Sequence, residues 1–224
     1  MHKTKHFLLK GFIYLLLFLL FTYFVQCIDI QYIVHTNSKI GFATINQTFH
    51  KFTDIHMWMY NVSDYLSMIP LLICIKDAIK GLNQWIKRKS IFKVDFYLII
   101  LGIYYFMIIL IFLLFEKMEI NYRPILIEGR REASYPSSTT LLILTIMLPF
   151  IEQLKIKYNL KGKNILLITS TLFLIFMLLL RTFSGVHWLS DIIGSILLSM
   201  GLFYLYKSVI MRYNNDERGN HDGI

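Results

Sequence analysis

The sequence predicts an all-α fold: a polytopic membrane protein built as a six-helix transmembrane bundle. Three observations predict it. Apolar side chains make up 56% of the 224 residues and charged ones only 17%, with a mean hydropathy of +0.55; soluble domains hold an apolar share of about 45–50%. The apolar residues fall in blocks of spanning length, which for a helix is about 20 residues. Short basic or polar segments separate the blocks, as loops separate helices, and no stretch is left for a large soluble domain.

The first run, 11–28, follows Lys3, Lys5 and Lys10 as the core of a secretory signal would. Phe24-Val25-Gln26-Cys27 offers no small-residue cleavage site, so residues 1–28 are expected to remain as an N-terminal anchor span. Runs at 57–79, 95–115, 138–152, 164–180 and 188–206 supply the other five spans of a membrane-embedded unit covering 29–224, with its core at about 57–207 and a short C-terminal tail. The 57–79 run is interrupted by Asn61, Asp64, Pro70, Lys76 and Asp77, and the 138–152 run crosses only if it tilts or begins at Ser137. Cys27 and Cys74 both sit in apolar stretches, in no metal-ligand spacing and no disulfide framework. No metal, cofactor or redox chemistry is therefore expected.

Six spans put both termini on one side, and the basic residues choose the side. The segments 1–10, 80–93, 153–163 and 207–224 hold fifteen Lys and Arg, and 29–55, 116–137 and 181–187 hold seven. The richer set, with both termini, is expected in the cytoplasm of a cell-membrane protein. The formal net charge of +9 then reflects topology, not a nucleic-acid partner. Five of the seven outer basic residues, Lys117, Arg123, Arg130, Arg131 and Arg181, crowd the two loops flanking spans three to six. Snorkelling explains one such residue better than five together.

Chemistry is concentrated in three segments. In Arg181-Thr-Phe-Ser-Gly-Val-His187-Trp-Leu-Ser-Asp191 the last two charged groups are four apart, so a helix beginning near His187 puts carboxylate and imidazole on one face. A carboxylate on one ring nitrogen sets the tautomer and makes the other a better nucleophile. On its own this pair reads more readily as a helix-end contact. Two further segments converge with it. Asn121-Tyr122-Arg123-Pro124 holds an arginine in an outer loop, with Lys117 six residues earlier, and Ser134-Tyr135-Pro136-Ser137-Ser138-Thr139 opens span four with hydroxyls and free helix-start N–H groups. Arginines beside a helix N-terminus make a phosphate cradle, because the guanidinium fork matches phosphate oxygens.

Together the three segments resemble the superfamily of type 2 phosphatidic acid phosphatases and vanadium haloperoxidases, whose signature runs K-x6-R-P, P-S-G-H, S-R-x5-H-x3-D. Arg181, His187 and Asp191 match the third motif at its spacing, with Leu180 at the serine position, and the resemblance covers roughly residues 60–207. It implies that His187 attacks phosphorus to form a phosphohistidine and that Asp191 orients it. It further implies that Arg123, Arg181 and Lys117 bind the phosphoryl oxygens, with Ser137 and Ser138 completing the cradle. Two departures stand out. Lys117 leaves five residues before Arg123 instead of six, and Ser138-Thr139 replaces the Gly-His that ends the second motif. That histidine is the family's general acid, and a threonine hydroxyl has no proton to give at a useful pKa.

The resemblance therefore implies a metal-independent membrane phosphatase acting on a lipid phosphate or an isoprenoid diphosphate at the extracytoplasmic face. A catalytically weakened relative, which binds lipid phosphates or passes the phosphoryl group to another acceptor, is the main alternative. A transporter would account for Asp64, Lys76 and Asp77 within a span, but not for Arg181, His187 and Asp191 at one mouth of the bundle. A haloperoxidase fits poorly with a chain that has almost no soluble mass. His50 and His56, ahead of span two, are the remaining histidines on the same predicted side.

Overall fold

The computed structural model describes residues 2–33, 37–157 and 163–221. Helix α1 (His2–Cys27) leads into a hairpin of β1 (Gln31–Ile33) and β2 (Ser38–Ile40), paired antiparallel with Gln31 opposite Ile40. Then follow α2 (Ala43–Thr53), α3 (Met57–Leu66), α4 (Met68–Arg88), a single 3-10 turn, α5 (Phe96–Met118), α6 (Ser138–Lys157), α7 (Lys163–Phe183) and α8 (Leu189–His221). The chain is an all-α polytopic membrane protein apart from that small hairpin.

Among the described residues five helices, α1, α5, α6, α7 and α8, are long and apolar enough to cross a membrane. The sixth expected run, 57–79, is instead two helices, and the sequence explains the break. Pro70 has no N–H to offer the Leu66 carbonyl four residues before it. The Ser67 hydroxyl takes up the Asp64 carbonyl at 2.6 Å, and the Ser67 amide lies 3.0 Å from the carbonyl of Ser63. Lys76, Asp77 and Lys80 then make α4 too polar to count as an apolar span. The pair still carries the chain from one end of the bundle to the other: the His56 amide binds the Ser184 carbonyl at 2.9 Å, and Gln84 binds Asp95 at 2.8 Å beside the start of α5. The bundle is thus traversed six times, once in two pieces.

Helix α1 is integrated with the rest. It runs antiparallel to α8 at close range, Gly11 facing Leu205 and Gly201 facing Leu15, where an added Cβ would stand 2.7 Å from each leucine. Phe18 and Val25 of α1 join Leu101, Ile108 and Phe115 of α5 and Leu198 and Phe203 of α8 in one core cluster, and Ile143, Met147, Leu174 and Met177 form a second between α6 and α7. Large apolar side chains cover the outside: Leu19, Phe106 and Leu172 are each about 60% exposed. Such a surface suits lipid and not water.

Segment 29–55, expected only as an outer loop, folds over one end of the bundle as the hairpin and α2. Its contacts are structural. Asn46 of α2 accepts from the Ser190 amide at 3.0 Å and donates to the Ser190 hydroxyl at 2.9 Å, so a residue 144 positions away caps α8.

Candidate active site

Three segments meet under this cover: the α7–α8 turn, the loop 119–137, and the first turn of α6. The α7–α8 turn is tight and passes through Gly185 with φ of +69°. A Cβ there would lie 1.9 Å from the Asp54 carbonyl oxygen in a left-handed backbone, so glycine is required. The turn folds His187 back onto Arg181. Both are enclosed, at 4% and 1% exposure, and Asp191 in the first turn of α8 is fully buried.

Arg181 Nη2 lies 3.1 Å from His187 Nε2. A guanidinium only donates, so Nε2 is the acceptor and a neutral ring carries its proton on Nδ1. Nδ1 faces Asp191 Oδ2 at 3.6 Å, longer than a hydrogen bond. Burial, reinforced by the positive charges of Arg181 and Arg123, holds the imidazole well below its usual range. The ring is neutral at pH 7, with its lone pair on the nitrogen that faces the arginine.

Each charged group is fixed from a distant part of the chain. The Asp191 carboxylate accepts from the Trp188 amide at 3.1 Å and from Asn121 Nδ2 at 3.3 Å, and its carbonyl accepts from the Ser137 amide at 3.2 Å, which ties α8 to the start of α6. Arg181 Nη1 donates to Asp64 Oδ1 at 2.9 Å and Ser63 Oγ at 3.1 Å on α3. The guanidinium groups of Arg181 and Arg123 lie 4.9 and 5.7 Å from the centre of the Tyr60 ring. Arg123 Nε pairs with Glu132 at 3.0 Å, while its buried Nη1 has no hydrogen-bond partner among the described residues. That leaves one donor of a buried cation available to an anion.

Arg123 lines a cavity of about 400 Å³ together with Glu116, Glu119, Arg131, Ser134 and Ser138. Arg123 and Ser134 connect this space to the imidazole, for both line it and both act on His187. Arg131 lies over the Tyr122 ring at 4.2 Å and donates to the Asn37 carbonyl at 2.7 Å.

The fold brings His187, Asp191, Arg181 and Arg123 together as the sequence expects. It does not bring Lys117 to the cavity. Lys117 is exposed on another side of α5, and the cavity face of that helix carries Glu116, which stands seven residues before Arg123. Ser137 is fully buried with its hydroxyl engaged by Thr140 at 3.0 Å, so it braces the site and does not face the cavity. Ser138 does line it, whereas Thr139 lines a separate apolar cleft. His50 supports the turn from behind, bonding the Gly185 carbonyl at 3.0 Å and packing on Trp188, and His56 contributes its main chain. Sequence reasoning missed Tyr60, Asn46 and Asn121, and took Asp64 only as a charge in a span. Tyr60 and Asp64 do sit four apart on one helix, a signal in hindsight. Among the described residues no three His, Cys, Asp or Glu side chains gather to hold a metal ion, and the cations of the site are arginines.

Among curated proteins none matches the sequence. The fold is similar to the crystal structure of the first transmembrane PAP2 type phosphatidylglycerolphosphate phosphatase from Bacillus subtilis: TM-score 0.59 and 17% identity, covering 91% of this chain and 96% of that one. The PAP2 superfamily model matches residues 112–215, the stretch that holds Arg123, the start of α6, Arg181, His187 and Asp191. Over this segment the chain is similar to the PAP2 superfamily.

Proposed function

We propose that the protein is a membrane lipid phosphatase that works through a phosphohistidine. The observation that carries this reading is the enclosed pair of contacts on His187, with Arg181 on Nε2 and Asp191 facing Nδ1. A phosphoryl group entering from the Arg123 cavity takes over the Arg181 N–H that now meets Nε2, and the freed lone pair is then aimed at phosphorus. In the first step the Nε2–P bond forms and the P–O bond to the leaving group breaks, with Arg123 and Arg181 holding the non-bridging oxygens. Asp191 stabilises the positive charge that the ring acquires. In the second step water attacks phosphorus, the P–N bond breaks with its electron pair returning to Nε2, and the water's proton goes to solvent.

The leaving group identifies the better substrates. No histidine stands in the family's acid position, and Thr139 there lines an apolar cleft. A lipid diphosphate needs no acid, because it expels a stabilised phosphate monoester, and Arg131 in the same cavity meets that charge. A monophosphate expels an alkoxide, which does need a proton. Arg130, by contrast, sits in a turn paired with Ile127, and Arg131 alone of the two reaches the cavity.

The distribution of basic residues supports a site facing away from the cytoplasm, with both termini inside. In intact cells, with Cys27 and Cys74 replaced, an impermeant thiol reagent should label a cysteine at Glu128 and spare one at Lys89; the reverse result overturns this orientation.

The chemistry is tested by phosphate release in detergent from lipid mono- and diphosphates, combined with a rapid quench under alkaline conditions. An acid-labile, base-stable phosphoryl label on wild type that disappears in His187→Ala is expected. Turnover without that label on His187 refutes the mechanism. The replacement of the acid histidine favours a second reading, a relative that binds lipid phosphates or transfers the phosphoryl group elsewhere; saturable binding without any phosphate release would establish it.

A further inference from the structure

The first turn of α6 separates two spaces of opposite character. On one side is the polar cavity with Arg123 and Arg131. On the other is a cleft of about 240 Å³ between α5 and α6, lined by Ile108, Ile109 and Phe112 from α5 and by Ser138, Thr139, Leu141 and Leu142 from α6. Phe112, Ser138 and Leu141 line both, so the two spaces adjoin. Apart from two hydroxyls the cleft is wholly apolar, and it opens where Ile109 is 55% exposed on the outer surface of the bundle. Ile108 to Phe112 lie six to ten residues before the end of α5 at Met118, roughly 9–15 Å along the helix. That is the depth of the hydrocarbon region and not of the head groups.

We propose that this cleft holds the first carbons of the substrate's hydrocarbon chain while its phosphate occupies the polar cavity, so that α5 and α6 select the chain and Thr139 belongs to its wall. The inference rests on the lipid phosphatase reading and adds where the lipid lies. An amphiphile bound at Arg123 needs an apolar route out of a polar cavity, and the adjoining cleft supplies one that opens toward lipid. The hydroxyl at 139 leaves room where a larger side chain would close the passage.

A chain-length series tests it. Phosphate release is measured in detergent from ethyl, octyl and hexadecyl diphosphates with wild type, Leu142→Trp and Ile109→Trp. Each methylene buried is worth about fourfold in affinity, so wild-type kcat/KM should rise steeply from ethyl to octyl and then level off. Either tryptophan should lower kcat/KM for octyl and hexadecyl about tenfold or more, through KM, and leave ethyl diphosphate unchanged. Leu110→Trp, exposed on α5 but outside the cleft, should change none of them. Equal effects on all three lengths, or no effect, overturn the inference with the phosphatase reading intact. No turnover of any substrate by wild type overturns the phosphatase reading, and a hexadecyl diphosphate bearing a diazirine at its third carbon then decides the inference by itself. Crosslinks to α5 and α6 around the cleft sustain it, and crosslinks elsewhere refute it.

Discussion

The two corners that flank the site are held very differently. At the α7–α8 corner His187, Asp191 and Arg181 are enclosed, and Asn46, Asn121 and the adjacent pair Ser63 and Asp64 hold their surroundings from three other places in the chain. At the start of α6, Ser138 and Thr139 are partly open and border two cavities. The first corner keeps the arginine, histidine and aspartate of the third motif at their spacing, with only its serine replaced by Leu180, and the second departs from its motif in two successive positions. Attack on phosphorus depends on alignment to a fraction of an ångström, which an enclosed network enforces. Departure of the leaving group depends on its own chemistry, so the second corner is free to change when the substrate supplies a good leaving group.

Breaking the enclosed corner should have the largest effect. His187→Ala should lower phosphate release about 10⁴-fold or more, with the protein still monodisperse in detergent; wild-type turnover in that variant would end the comparison. Next comes the substrate itself. Positioned acid catalysis contributes about 10²–10⁴ in rate, so diphosphates should exceed monophosphates of the same chain in kcat by a ratio in that range. Equal rates would mean that the open corner contains a proton donor after all.

Arg181→Lys should cost about 10²–10³ in kcat, comparable to removing one oxyanion donor, because an ammonium cannot bond His187, Ser63 and Asp64 with one planar group. Unchanged kcat would show that the guanidinium geometry is dispensable.

The pH profile sharpens the comparison further. On the proposed mechanism His187 attacks only when neutral, and its folded-state pKa lies below the ordinary value of about 6.5, so activity should persist as pH falls through 6.5 and decline at lower pH. Stability has the same sign: below about 6.5 the unfolded ring binds a proton that the folded ring refuses, so stability falls with falling pH there and is unaffected by this group above it. An acid limb of kcat/KM at or above pH 6.5 would contradict both. The smallest effect is expected at Asn46→Ala, which removes the cap of α8 at about 1–2 kcal/mol and should lower the melting temperature more than it lowers kcat.

The parts of this arrangement legible in the sequence were those written in one short stretch. Arg181, His187 and Asp191 span eleven residues across a turn and one helical turn, so spacing alone relates them. Lys117 shows the limit of that reasoning. A shift of one residue on α5 is about 100° of rotation, enough to turn Lys117 from the cavity and put Glu116 there. Asn46, Tyr60, Asp64 and Asn121 reach the site from 70 to 144 positions away from their partners on α7 and α8, and no local pattern encodes such pairings. The break between α3 and α4 was visible only as a poor apolar run with a proline in it. The hairpin and α2 went unread because 29–55 holds no apolar run of spanning length, although 43–53 does carry a helical apolar period.

The Asn46 cap has a consequence for genetics. A selection for loss of activity would return Asn121 and Gly185 beside His187, with Asn46 as a weaker class, since Gly185 sets the backbone that carries the imidazole, Asn121 bonds its carboxylate and Asn46 caps α8. Ranked by phenotype alone, these positions would pass for reacting groups. Expression level and melting temperature, recorded for every isolate, would sort the two sets: inactive but abundant variants mark the chemistry, and scarce or labile ones mark the cover that keeps it aligned.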